Sequence, residues 1–167
     1  MKATAIRYIQ IRIQQCKQKS GCIRKWLDQR FQKSPKTSQP VADDEQLARF
    51  VLHSDWIRAD QTVRQNAFIP HPHPDLSVTR HKGFSEKQLW DTGQDVATAQ
   101  SRTLYGRADV SAASVRQQSL TVEPYPIPGN PNHANILGWP KEKPAQKIIA
   151  QELAAASIYQ SNPQPTA

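Results

Sequence analysis

The stretch Leu76-Ser77-Val78-Thr79-Arg80-His81-Lys82-Gly83-Phe84-Ser85-Glu86-Lys87-Gln88-Leu89-Trp90 changes its period halfway along. Leu76 to Arg80 alternates apolar with polar side chains and is rich in β-branched residues, so it predicts a strand. Ser85 and Gln88 then have the spacing of a capping box ahead of Leu89 and Trp90, which predicts a helix from about Glu86 to Ala99. Gly93 should weaken the middle of that helix by roughly 1 kcal/mol relative to alanine. A short strand passing this quickly into a helix is the pattern of a domain in which the two are interspersed.

The same alternation of short elements continues on both sides. Downstream, Leu104 to Val110 reads as a short strand or a loop, and Ser111 can cap a helix from about Ala112 to Gln118. Leu120 to Glu123 predicts a strand stopped by Pro124, and His133 to Trp139 another, bounded by Pro140. Between them Pro124, Pro126, Pro128 and Pro131 make a stiff connector. Pro144 opens a final helix in which Ile148, Ile149, Glu152, Leu153 and Ala156 supply a face with Ala-rich support.

Upstream, Asp43-Asp44-Glu45 has the look of an acidic helix start, while Leu47 to His53 reads equally as a strand. Gln61 to Ile69 alternates loosely as a strand would, and His71-Pro72-His73-Pro74 predicts an extended, exposed connector. No long parallel repeat is present. The expected class is therefore α+β, a small mixed sheet with two or three short helices, preceded by a basic, partly helical N-terminal arm.

Charge divides the chain more sharply than hydropathy does. Of 167 residues, 22 are Lys or Arg and 14 are Asp or Glu, a net charge of +8. Residues 1–40 hold ten basic side chains and one acid, net +9, and the remaining 127 residues hold twelve basic and thirteen acidic groups, net −1. Ile6, Ile9, Ile13 and Cys16 follow helical spacing while Tyr8 to Gln14 alternates as a strand would; beyond Gly21, Ile23, Trp26, Leu27 and Phe31 form a second amphipathic stretch. We expect a basic arm at 1–33, a linker at 34–42, a compact domain at 43–159 and a disordered tail at 160–167. The cations that would meet nucleic acid are Arg7, Arg12, Lys17, Lys19, Arg24, Lys25 and Arg30, through phosphate neutralisation and counterion release.

Several functional classes have no support in the chain. Phosphate-cradling glycine loops, the dinucleotide-binding fingerprint, the serine-hydrolase elbow and the zincin helix are all missing. Nor is there zinc-finger spacing or a strand of RNA-stacking aromatics, so a nucleic-acid role rests on the arm's charge. Cys16 and Cys22 cannot build a disulfide framework, and their spacing matches no redox or zinc motif. His71, His73 and Asp75 come nearest to a metal cluster, but no second group of ligands accompanies them, and no metal or cofactor is expected. No apolar run approaches the ~18 to 20 residues of a bilayer span and the N-terminus has no secretory apolar block, so a cytoplasmic location is expected.

One constellation bears on catalysis. Arg80-His81, Tyr105 with Arg107 and Asp109, and His133 with Asn135 all lie on or beside strand ends. His81 and His133 as base and acid, with Arg107 stabilising charge, could cleave RNA or act on a nucleotide without metal. The bland reading is a strand-end histidine bonded to a carbonyl and an Arg107–Asp109 surface pair. The leading expectation is a non-catalytic intracellular binding or accessory protein, its arm held electrostatically to nucleic acid and its near-neutral body contacting a protein partner. The small His/Arg enzyme is the alternative, and attachment of the arm to an anionic membrane surface is a third reading.

Overall fold

A computed structural model of the chain describes residues 39–71 and 73–163. The expected arm, most of the linker and the end of the tail lie outside the described residues, and with them Arg7, Arg12, Lys17, Lys19, Arg24, Lys25 and Arg30. The described residues form an α+β domain, and its strands are β1 Gln46–Val51, β2 Leu76–Arg80, β3 Gly106–Ser111, β4 Thr121–Pro124, β5 His133–Leu137 and β6 Ile158–Ser161. Its helices are α1 Glu86–Ala99, α2 Ala112–Gln117 and α3 Lys143–Ala156. The sheet order is β4-β5-β2-β1-β3-β6, and every pairing is antiparallel.

The ambiguity at 43–53 resolves as strand β1. Leu47 and Val51 enter one core cluster while Ala48 and Phe50 enter the other, so both faces of β1 are buried. A strand buried on both faces loses the alternation of a half-solvated one, and its apolar residues mimic a helical face. The larger core lies on the face of Leu47 and Val51, where α2, α3 and the turn at Ala67-Phe68 cover the sheet. On the opposite face α1 lays Leu89 and Ala97 against Ala48 and Phe50.

The structure adds three details at the margins. Gln61 to Ile69 is not a strand: Ile57 and Val63 form an isolated bridge and Gln65–Ala67 a 3-10 turn, because β2 and β3 already occupy both edges of β1. Val41, at the end of the expected linker, is buried in the main core. Gln160 and Ser161, at the start of the expected tail, belong to β6, which pairs with β3. Among the described residues no helix is long and apolar enough to cross a membrane.

Candidate functional site

The strongest polar constellation forms where the N-terminus of α1 meets β3. Arg107 and Asp109 are two residues apart on one strand, so their side chains share the α1 face of the sheet. His81 follows β2, donating its backbone N–H to the Gln46 carbonyl at 3.0 Å. Lys82 and Gly83 then turn the chain, Gly83 at a φ of +78° that favours glycine, and Ser85 caps α1 with Gln88 completing the capping box. That cap places Glu86 in the first turn, over Arg107.

Four charged or titratable groups interlock there. Arg107 donates through Nε to Asp109 Oδ2 at 2.9 Å, through Nη1 to Glu86 Oε1 at 2.7 Å and through Nη2 to Glu86 Oε2 at 3.1 Å. Trp90 closes the guanidinium's face, with Cζ 4.4 Å from the ring centroid, and its indole N–H donates to Glu86 Oε1 at 2.9 Å. His81 Nε2 lies 3.1 Å from Asp109 Oδ1. An ionised carboxylate can only accept, so Nε2 carries the hydrogen of this bond.

The electrostatics commit Arg107 to its two carboxylates. Burial works to lower the Arg107 pKa, but bonds to Glu86 and Asp109 outweigh it and raise the value. The Arg107 hydrogen bonds hold the Glu86 carboxyl below its ordinary value, against a smaller cost of burial. Arg107 is only 5% exposed, with its donors turned onto carboxylates, so it is not presented to an incoming phosphate.

The three residues singled out for catalysis do not all converge. His81 and Arg107 meet through Asp109. His133 lies in the same cross-strand row as Thr79, Ala48 and Asp109, on β5, three strands from β3. At ~4.8 Å per strand that is roughly 14 Å of sheet, and His133 Nδ1 donates to the Tyr125 carbonyl at 2.8 Å. Arg80, adjacent to His81 in sequence, projects to the opposite face, where Nε and Nη2 bind Glu45 at 2.6 and 3.0 Å. Tyr105 is half-exposed, and its carbonyl accepts from the Tyr159 hydroxyl at 3.0 Å.

Sequence reasoning did not assign Glu86 and Trp90 to this cluster. The signal was available in the capping box, which fixes Glu86 in the first helical turn and Trp90 one turn above it, on one side of the helix. What the pattern lacks is the register of α1 over β3. Asn135, flagged beside His133, keeps its Oδ1 buried without a hydrogen-bond partner. Among the described residues no group of three metal-capable side chains comes together. A comparison of the chain with protein-family models, curated proteins and solved structures finds no match.

Proposed function

We propose that this chain is a non-catalytic, cytoplasmic binding protein whose basic arm attaches to nucleic acid while the near-neutral body contacts a protein partner. The observation that carries the non-catalytic part is the internal use of Arg107, enclosed by Glu86, Asp109 and Trp90. A guanidinium committed to two carboxylates serves to pin α1 on β3. The attachment part is supported by the partition of charge, +9 over residues 1–40 and −1 over the rest.

The test uses the full chain with Arg7, Arg12, Lys17, Lys19, Arg24, Lys25 and Arg30 replaced by glutamine. RNA and DNA affinity should fall at least tenfold, and the salt dependence should flatten by roughly 0.7 to 0.9 in log–log slope for each phosphate that is no longer neutralised. Unchanged affinity and slope would remove the arm from the interface. Arm-dependent binding to anionic vesicles, with no binding of nucleic acid, would replace this reading with surface attachment.

The alternative enzyme reading retains one supporting observation, the Asp109-oriented imidazole of His81, whose side chain is 26% exposed. Such a pair is the arrangement of a general base. RNA or nucleotide turnover abolished by His81→Ala would support that alternative, and turnover unaffected by the substitution would end it.

A further inference from the structure

The two edges of the sheet differ in a way that points to a partner. Hydrogen-bonding direction alternates along each strand of an antiparallel ladder, and the bonds at the strand ends fix its phase. Asn162 donates to the Tyr105 carbonyl, so Gln160 and Ile158 face β3 with their main-chain groups, while Tyr159 and Ser161 turn theirs outward. On the other edge Tyr125 donates to the His133 carbonyl, which turns Val122 and Pro124 outward on β4.

The β4 edge is blunted. Pro124 has no N–H to offer, Pro126 follows at the next outward position, and the strand carries the exposed Glu123. Prolines and charges of this kind obstruct pairing with another strand. β6 itself has neither, since Ser157-Ile158-Tyr159-Gln160-Ser161-Asn162 is uncharged and free of proline, and Pro163 comes only at the outward position beyond the strand. Its Ile158 is 66% exposed, and the outward N–H groups of Tyr159 and Ser161 have no partner among the described residues.

We propose that the β6 edge pairs antiparallel with β6 of a second copy of this chain across a two-fold axis. Placing Tyr159 opposite Ser161 of the other copy, and the reverse, forms two hydrogen-bonded pairs and four main-chain bonds. Gln160 then faces its own counterpart on the axis, where two uncharged amides can bond to each other. An uncharged strand offers no complementarity to an acidic or basic partner strand and no repulsion to itself, and the body it belongs to is close to neutral. A pairing of four-residue strands falls short of the ~1,200 Å² of a stable interface, so the association is concentration-dependent. This builds on the reading of the body as an interaction module and names its partner.

Sedimentation of the full-length protein over rising concentration, in high salt to screen the arms, reads the pairing directly. The weight-average mass should climb from one chain towards two. Ser161→Pro removes an outward N–H without touching a bond to β3, and Gln160→Lys sets two like charges face to face on the axis. Each should weaken the dimer at least tenfold with the thermal melt of the dilute protein unchanged, whereas Glu123→Lys on the β4 edge should leave it intact. A monomer at every concentration, including the case where β6 takes a strand from a different protein, would overturn the proposal. So would a dimer that survives both β6 substitutions. The nucleic-acid assay above is independent, so the two readings fail separately.

Discussion

Gly93 shows how a single residue reads differently in sequence and in structure. By propensity it is a weak point in α1, and alanine there should gain about 1 kcal/mol. A Cβ built at Gly93 lies 2.7 Å from Phe50 Cε1 and 3.1 Å from Leu104 Cδ2, so the helix has closed onto β1 through the missing side chain. Gly93→Ala is therefore expected to destabilise the domain by about 1 to 3 kcal/mol, measured by urea unfolding. A gain in stability would mean that Phe50 yields easily. Arg80 and His81 teach the same lesson about faces. Neighbours in sequence invite reading as one site, yet the two-residue period of a strand sends one to Glu45 and the other to Asp109.

At the scale of elements, the most legible features were those specified within one turn of chain. The capping box at Ser85 and Gln88 and the Ser111 cap of α2 both form as their spacing implies, with Ser111 accepting from the Ser114 N–H at 3.1 Å. Removing the first with Ser85→Ala is expected to cost about 1 kcal/mol. Because the cap also seats Glu86 over Arg107, the substitution should raise hydrogen exchange in the first turn of α1 more than in α3. Equal exchange in both helices would separate the cap from the cluster. The elements that escaped prediction were those defined by a distant neighbour. β6 is four residues with one large exposed apolar side chain, and only its pairing with β3 makes it a strand. Gln61 to Ile69 has the alternation, but both sides of the neighbouring β1 are already taken by β2 and β3.

For the molecule as a whole, the ion pairs of the buried Arg80 and Arg107 shape the response to acid. Burial alone would raise the Glu45 pKa, but the Arg80 hydrogen bonds and charge outweigh it and leave it below the ordinary 4.5, and Arg107 lowers Glu86 likewise. Carboxyls whose folded pKa is depressed contribute stability that is fully present above their unfolded value, and that contribution is lost as the pH falls through the folded one. The urea midpoint is thus expected to hold from about pH 7 down to about pH 5 and to fall below about pH 4.5. Glu45→Gln should flatten that acid limb and cost about 3 kcal/mol at neutral pH, because it leaves the Arg80 charge buried without its counterion. An acid limb unchanged in the variant would assign it to other carboxylates. Caps, alternation and charge partition are local properties, and the amino-acid order alone was enough to predict an α+β body and to place the excess positive charge in residues 1–40. Which strands became neighbours, which face each polar side chain took, and the enclosure of Arg107 between two carboxylates depend on contacts between residues far apart in the chain. Those contacts are selected by burial of the whole set of apolar faces at once, a condition that no single segment carries.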